Sequence, residues 1–193
     1  FVPEVEGVLI DIEGILITEL YDKEQNTVLS FDDGIMRRSD FDSLIGAICR
    51  IYYPSTDGSV LVPVDVAVSR HEVNNSRALI RQLMQAPPLA LGNYSLVKPM
   101  PDSVTDADVL GVRVDDSQVL INLSGSLYRA CRSLSPAMER AMIYSIVNTL
   151  CDLSGVKSVR FYFDGERVDT LAGTINLRGP LLENVGMVRK QGM

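Results

Sequence analysis

The sequence predicts an α+β protein in two layers, in which two helices pack on one face of a small, mostly antiparallel sheet. Two observations indicate this class. From residue 50 onward, the predicted elements follow the order strand, strand, helix, hairpin, helix, hairpin. Each of the two helices also has a single apolar face, so each should lie on one side of the sheet. A β-rich extension is predicted before this body.

The strongest helix signal begins at Ser135, which can cap the N-terminus, with Pro136 suited to the first helical position. The apolar residues that follow recur at three- and four-residue steps. They are Met138, Met142, Ile143, Ile146, Val147, Leu150 and Leu153. Gly155 offers a left-handed stop, and a buried strand follows at 159–163. This helix and strand are the predicted core.

The two ends of the chain are predicted to lie outside that core. Residues 1–47 form a β-rich extension. Within it, residues 7–20 fit two short strands or one bulged strand, because a glycine interrupts a run of β-branched and aliphatic residues. A further strand is predicted at 27–31 and a short helix at 38–47. At the other end, residues 181–193 are predicted to be a loosely structured tail.

The body is predicted over residues 48–180. Its first hairpin joins a strand at 49–53 to a strand at 60–68. Pro63 indicates an edge position for the second strand, because proline cannot donate to a neighbouring strand. A helix capped by Asn74-Asn75-Ser76 should then run to about Gln85.

Two further hairpins are predicted in the second half of the body. Strands at 109–114 and 119–123 flank a turn, and the polar residues Ser124-Gly125-Ser126 end that hairpin by reversing the chain. Asp164-Gly165 is the strongest short hairpin signal in the sequence. It predicts a partner strand at 166–171.

Composition excludes several classes of function. The net charge of −7 argues against nucleic acid or an anionic membrane surface as the main partner. No apolar run approaches the roughly 20 residues that a membrane-spanning helix needs. Cys49, Cys131 and Cys151 show no CxxC spacing, which favours three buried or half-buried free thiols over a zinc site. Because the chain begins with Phe1, we expect that an upstream segment has been removed.

A histidine-dependent active site is not predicted. His71 is the only histidine, and no GxSxG nucleophile motif accompanies it. The sequence favours a surface histidine just before a helix. Ser124-Gly125-Ser126 is likewise interpreted as a chain reversal and not as a nucleophile.

The carboxylates predict turns and not a catalytic pair. The aspartate pairs at 32–33 and 115–116 are adjacent, and neighbouring side chains in an extended chain point apart. Asp102, Asp106 and Asp108 share one loop and could hold a hard cation such as Ca²⁺, but the loop lacks the glycine of an EF-hand. No glycine-rich phosphate-binding motif is present. We therefore predict no catalytic residue, no metal site and no cofactor.

Four residues form the predicted interaction surface, namely Tyr52, Tyr53, Arg160 and Tyr162. The two adjacent tyrosines flank the first hairpin. Arg160 and Tyr162 point to the side of their strand opposite the core, where they either form an exposed stripe or are covered by another segment. The three tyrosines also offer stacking faces for sugar rings, which leaves a ligand- or peptidoglycan-binding module as an alternative.

A series of short motifs carries a family resemblance. In order, they are Ile51-Tyr52-Tyr53, Asp57-Gly58, Leu61-Val62-Pro63, Ala78-Leu79, Leu83, Ala86-Pro87, Met100-Pro101, Val119 to Ser124, Val147-Asn148-Thr149-Leu150, Gly155-Val156 and Asp164-Gly165. Their order and spacing resemble the Germane domain family of sporulation and spore-germination lipoproteins. Asn122 stands where the family usually has aspartate, and Ala86 where it has glycine. Residues 1–47 lie outside the match.

The resemblance implies an extracytoplasmic protein of the cell envelope, anchored in its precursor through an upstream lipid-bearing cysteine. It implies a fold similar to the ring-building motifs of secretion and sporulation complexes, with two helices against a three-stranded sheet. It further implies assembly or scaffolding without catalysis. The expected partners are envelope proteins or a second copy of the chain, with peptidoglycan as the alternative and no nucleic acid.

Overall fold

The structure is a computed structural model that describes residues 7–22, 27–37, 40, 46–70, 72–87 and 95–189. The chain divides into two compact units, Phe1–Ala47 and Ile48–Met193. The first unit is built from short strand pairs. The second holds the helices, the larger sheet and the main apolar core.

Over its described residues, the first unit contains six short strands in antiparallel pairs. They are β1 (Val8–Leu9), β2 (Asp11–Ile12), β3 (Ile15–Leu16), β4 (Glu19–Asp22), β5 (Thr27–Ser30) and β6 (Ile35–Met36). β1 pairs with β6, β2 with β3, and β4 with β5. Glu13 and Gly14 turn the chain between β2 and β3 with φ angles of 54° and 83°, a left-handed conformation that suits glycine.

This arrangement decides two of the predictions for the extension. Residues 7–20 form separate short strands and not one bulged strand, and β5 confirms the strand predicted at 27–31. The helix predicted at 38–47 falls mostly outside the described residues.

The second unit combines three helices with six strands. They are β7 (Ala47–Pro54), β8 (Leu61–Val68), α1 (Ser76–Leu83), β9 (Val109–Asp115), β10 (Gln118–Leu123), α2 (Gly125–Cys131), α3 (Pro136–Cys151), β11 (Ser158–Phe163) and β12 (Leu181–Leu182). A four-stranded sheet has the order β12-β11-β10-β9, and β7 pairs with β8 as a separate hairpin. α1 contacts β9 and α3 contacts β11. The predicted α+β class, with two helices on one face of a mostly antiparallel sheet, is confirmed.

One strand pair of the four-stranded sheet is parallel. β10 and β11 run in the same direction from Gln118↔Ser158 to Leu123↔Phe163, whereas β9 and β12 are antiparallel to their neighbours. Parallel neighbours need a crossover connection, and the segment that contains α2 and α3 provides it. This crossover places α3 over the strands that it connects.

α3 forms where the sequence predicts it. Ser135 caps the helix by accepting a hydrogen bond from the Met138 backbone N–H, and Pro136 occupies the first position. Five of the seven predicted stripe residues are 0% exposed: Met142, Ile143, Ile146, Val147 and Leu150. Met138 and Leu153 are half-buried, and Leu153 lies beyond the end of the helix. Burial of these five side chains contributes on the order of 10 kcal/mol gross, at roughly 1.5–3 kcal/mol each. α3 ends at Cys151, with Asp152 as its right-handed C-cap, so the glycine stop predicted for the helix is wrong. Gly155 is left-handed, with a φ of 86°, but it lies in the turn that follows the helix.

The prediction for Ser124-Gly125-Ser126 is wrong. Ser124 is the N-cap of α2, and its hydroxyl oxygen accepts a hydrogen bond from the Leu127 backbone N–H at 3.0 Å. The backbone N–H of Gly125 donates to the Asp164 carboxylate at 2.9 Å. The serine and glycine therefore begin a third, short helix that the sequence analysis did not predict.

The strand predicted at 166–171 does not form, although its turn does. Asp164 and Gly165 have φ angles of 49° and 83°, and Phe163 makes an isolated bridge to Glu166. Beyond the bridge the chain leaves the sheet, and Leu171 is buried in the core at 1% exposure. The position beside the start of β11 is occupied by β12 instead.

The chain after residue 180 also differs from the predicted loose tail over its described part, residues 181–189. Leu181 and Leu182 pair with Val159 and Ser158 as β12. The Arg189 backbone N–H then donates to the Leu61 carbonyl at 2.9 Å. This segment therefore joins the two sheets of the second unit.

Two predictions from composition have structural counterparts. The three cysteines are free thiols, with Cys49 and Cys131 buried and Cys151 half-buried, as predicted. Among the residues that the structure describes, no helix is both long and apolar enough to cross a membrane.

Candidate interaction surface

Polar side chains buried on α3 hold the fold together. Glu139, Asn148 and Thr149 are at most 1% exposed although they lie on the core helix. The Thr149 hydroxyl oxygen accepts a hydrogen bond from the Tyr52 backbone N–H at 3.1 Å, which attaches β7 to the helix. These three polar residues interrupt the apolar pattern of the helix in the sequence, and this interruption could have identified them. Because each serves backbone groups, they are not candidates for ligand binding.

Tyr52 and Tyr53, which we predicted as part of an interaction surface, are buried instead. They are 5% and 1% exposed. The Tyr53 hydroxyl donates to the Gln82 carbonyl at 3.0 Å, and the Tyr52 hydroxyl lies 3.4 Å from an Asp152 carboxylate oxygen. Burial raises the pKa of both phenols to about 12. Neither ring is available to stack on a sugar.

Arg160 and Tyr162 lie on the side of the sheet turned away from the helices. Val159, Phe161 and Phe163 alternate with them along β11 and enter the core, whereas Arg160 and Tyr162 are half-buried. This alternation is the one that the sequence predicts.

Residues of the neighbouring strands extend this side of the sheet. Leu120 pairs with both Arg160 and Arg113, Asn122 pairs with Tyr162, and Leu182 pairs with Ser158. We define the open sheet face as Arg113, Leu120, Asn122, Arg160, Tyr162 and Leu182. The side chain of Arg113 is 71% exposed, and Leu182 is 67% exposed. Arg113, Leu120 and Leu182 were missed in the sequence, although Leu120 alternates visibly with the buried Val119 and Ile121.

An arginine stacks against the aromatic ring of the open sheet face. The guanidinium carbon of Arg167 lies 5.9 Å from the Tyr162 ring centroid, within the range of a cation–π interaction. Asn122 is also engaged, since its side-chain oxygen accepts a hydrogen bond from the Gly165 backbone N–H at 2.8 Å. An aspartate at this position could accept the same bond, so the replacement noted in the sequence preserves the acceptor.

The serines at the start of α2 form a structural cluster. The Asp108 carboxylate accepts hydrogen bonds from the hydroxyls of Ser124 at 2.5 Å and Ser126 at 2.8 Å. These hydrogen bonds, with Ser124 contributing most, hold the pKa of Asp108 below its usual range. An ionised carboxylate at this site fixes the start of β9 to α2.

The other acidic candidates are engaged separately. Hydrogen bonds from Arg81 and Arg77 lower the pKa of Asp106, and Asp102 pairs with Lys98 at 2.5 Å. Asp33 pairs with Arg37, whose hydrogen bond lowers the pKa of Asp33 to about 2. Within the described part of the chain, no cluster of histidine, cysteine and carboxylate side chains is arranged to hold a metal ion. His71 lies outside the described residues.

A polar cleft opens where β7 and β8 meet the end of α3. Its volume is about 260 Å³, and its lining includes Cys49, Arg50, Asp65 and Asp152. Arg50 and Asp65 form an ion pair at 3.4 Å with both side chains about half exposed. The Cys49 thiol donates to the Val66 carbonyl, and burial raises its pKa, so it is a poor nucleophile.

The comparisons with known proteins agree with this geometry. A family model described as Germane, sporulation and spore germination, matches residues 50–169, which is more than half of the chain. The chain belongs to the Germane family. The matched range contains the helices of this Germane domain and strands β9, β10 and β11 of its four-stranded sheet. The fourth strand, β12, lies beyond the matched range. A comparison with curated proteins gave no match.

Solved structures show the same fold at low sequence identity. The tandem GerMN domains of the sporulation protein GerM from Bacillus subtilis match with 18% identity and a TM-score of 0.55, over 95% of this chain and 63% of that one. This Germane chain thus spans less than two thirds of the tandem protein. The first GerMN domain alone matches with 15% identity and a TM-score of 0.55, over 71% of this chain and 97% of its own.

A candidate lipoprotein from Clostridium perfringens is a third similar structure. It matches with 21% identity over 72% of this chain and 89% of its own. Its TM-score of 0.48 is too low to support an argument. The likeness to the GerMN domains, at identities below 25%, establishes the fold alone.

Proposed function

We propose that this Germane domain is a non-enzymatic interaction module of a cell-envelope complex that acts in sporulation or spore germination. The open sheet face carries the proposal. It combines apolar Leu120 and Leu182, aromatic Tyr162, and the arginines 113 and 160. Aromatic and arginine side chains are enriched at protein interfaces, particularly among the residues that dominate binding energy.

The chemistry of the other polar groups supports a role without catalysis. The serines near Asp108 serve a helix cap, and the buried polar groups of α3 bind backbone atoms. Burial raises the pKa of Cys131 to about 12 and that of Cys151 to about 11, so neither thiol forms appreciable thiolate at neutral pH.

The family description supports the proposed process. Sporulation and spore germination are the processes named for the Germane family. We propose further that the chain acts outside the cytoplasm, in the cell envelope, and is attached in its precursor by an upstream lipid anchor. Peptidoglycan binding loses its support, because Tyr52 and Tyr53 are buried and Arg167 stacks on Tyr162.

The proposal is tested by replacing the chromosomal copy in the source organism. The chain carrying Arg160→Glu and Tyr162→Ala should fold as the native chain does but should fail to restore spore formation or germination to a deletion strain. Arg140→Glu is the matched control, because Arg140 is exposed on α3 and lies off the open sheet face. Circular dichroism and melting temperature establish that each variant is folded. A deletion strain with normal sporulation and germination, or full restoration by the double variant, would contradict the proposal.

A further inference from the structure

The first unit exposes an unusual amount of apolar surface. Nine of its large apolar side chains are more than a third exposed: Val8, Leu9, Ile10, Ile12, Ile15, Leu16, Leu20, Tyr21 and Val28. In the β2–β3 hairpin, Ile12 and Ile15 face each other across the strands and are 57% and 69% exposed. Two-stranded ribbons bury little surface of their own, so their apolar side chains stay exposed on both faces, and exposed apolar surface of this kind is typical of an interaction site.

The same unit accounts for the net negative charge of the chain. Residues 1–47 contain eleven acidic and three basic residues, a net charge of −8, whereas the whole chain has a net charge of −7. Residues 48–193 therefore have a net charge of +1. Glu13 and Glu19 are exposed among the apolar side chains of the first unit. We call the nine apolar residues together with these two glutamates the acidic ribbon surface.

A partner for the acidic ribbon surface must be apolar and must present cations. Anionic lipid and nucleic acid do not satisfy the second condition, because like charges repel. The open sheet face satisfies both. Leu120, Tyr162 and Leu182 supply apolar area, while Arg113 and Arg160 supply positive charge, to which Arg167 adds from its position over the Tyr162 ring.

The charges of the open sheet face are only partly neutralised within one chain. Arg113 lies 3.4 Å from Asp115, but both side chains are more than 60% exposed, so water screens the pair. Among the described residues, no carboxylate forms an ion pair with Arg160 or Arg167. An acidic partner surface would therefore form favourable charge interactions with both arginines.

We propose that the acidic ribbon surface of one copy docks on the open sheet face of a second copy. The inference rests on the proposed function, since it names the partner of the same open sheet face. The two surfaces are different, so the contact is heterologous, and each pair leaves one ribbon surface and one sheet face for further copies. Repeated contacts produce a ring if the rotation closes and a filament if it does not.

The test uses the full chain and a charge swap. The ribbon variant carries Glu13→Lys and Glu19→Lys, the face variant carries Arg113→Glu and Arg160→Glu, and the swapped chain carries all four changes. Oligomeric state is measured by light scattering coupled to size exclusion, at several concentrations and at low and high salt. Arg132→Glu with Arg140→Glu is the control, because both arginines are exposed off the two surfaces.

The native chain and the control should associate with rising protein concentration, and salt should weaken the association. The ribbon variant and the face variant should each associate about tenfold more weakly or worse, because like charges would then meet. The swapped chain should regain association, and so should an equimolar mixture of the ribbon and face variants, since opposite charges meet again.

A native chain that stays monomeric at every concentration would overturn the inference, as would a single-surface variant that associates normally or a swapped chain that does not recover. If a double variant fails to fold, Glu13→Lys and Arg113→Glu alone give the same comparison at exposed positions. A monomeric native chain whose Arg160→Glu, Tyr162→Ala variant still fails in the organism would refute self-docking while leaving the proposed function intact.

Discussion

The side-chain amide of Asn148 forms two hydrogen bonds with the backbone of Asn184. Its Nδ2 donates to the Asn184 carbonyl oxygen at 3.2 Å, and its Oδ1 accepts from the Asn184 N–H at 2.9 Å. Asn148 is 0% exposed on α3, and Asn184 lies two residues after the end of β12. One side chain thus satisfies a donor and an acceptor as a neighbouring β-strand would, and fixes the C-terminal segment to the helix.

Asn148→Ala should therefore loosen the C-terminal segment as well as destabilise the fold. Loss of two hydrogen bonds at a buried site should lower the free energy of unfolding by about 2–3 kcal/mol. Urea unfolding measures this change, and hydrogen exchange should show lost protection over residues 181–189. Asn176→Ala is the control, because Asn176 is exposed. Unchanged protection in Asn148→Ala would refute the role of the pair.

Glu139 makes the stability depend on acid pH. Its carboxylate accepts backbone hydrogen bonds from Ala172 and Thr174, both at 2.7 Å. Burial opposes ionisation, but these hydrogen bonds outweigh it and hold the pKa of Glu139 below its usual value of 4.5. Because the folded pKa is the lower one, the stabilisation is complete above that usual value, which the unfolded chain keeps, and is lost as the pH falls through the folded value.

Glu139→Gln should remove this acid-dependent part of the stability. A glutamine amide can accept from one N–H but turns a second donor toward the other, so we expect a loss of about 2 kcal/mol at neutral pH. The free energies of unfolding of the native protein and of Glu139→Gln, measured from pH 7 to pH 3, should become equal at the acid end. The exposed Glu166→Gln serves as control. Parallel pH profiles for native and Glu139→Gln proteins would rule out this assignment.

Gly58 is required by a close contact between the β7–β8 turn and α3. Its φ is 68°, and a Cβ built on it would lie 3.0 Å from the backbone carbon and oxygen of Ala137. Gly165 has a φ of 83° with no atom within 4 Å of such a Cβ. Both alanine substitutions incur left-handed strain of about 1–2 kcal/mol, but only Gly58→Ala adds a clash with backbone.

The melting temperature of Gly58→Ala should consequently fall below that of Gly165→Ala. The shared backbone strain cancels in this comparison, which leaves the contact with Ala137 as the difference. Equal melting temperatures would mean that the turn does not pack against α3 in solution.

The two buried tyrosines should lose their phenolic protons at a higher pH than a tyrosine in the unfolded chain. Burial raises the pKa of Tyr52 and Tyr53 to about 12, so both should stay protonated in the native chain after an unfolded tyrosine has ionised near pH 10. Ultraviolet absorbance should show a delayed step that shrinks in Tyr53→Phe and in Tyr52→Phe. The unfolded chain releases these protons first, so stability should fall from about pH 10 to pH 12. A single step near pH 10 would contradict the burial of both rings.

Local signals in the sequence account for most of the elements and for the side of β11 on which Arg160 and Tyr162 lie. The cap at Ser135 and the apolar stripe defined the start and the buried face of α3, because helix ends and faces depend on neighbouring residues. Alternation along β11 likewise placed Arg160 and Tyr162 correctly. The same reasoning failed for Tyr52 and Tyr53, because their exposure depends on α1 and α3, which the chain reaches much later.

The sequence by itself determined the fold class, the start of the core helix and the face of β11 that turns away from it. Only the tertiary structure decided which strand lies beside β11. Asp164-Gly165 formed its turn, but the strands beside β11 are β10, which is parallel to it, and the two residues of β12, which are antiparallel. Glu139 accepts a hydrogen bond from the loop between β11 and β12. Turn formation costs only local backbone conformation, whereas strand pairing depends on burial and hydrogen bonds between distant segments, which no local pattern encodes.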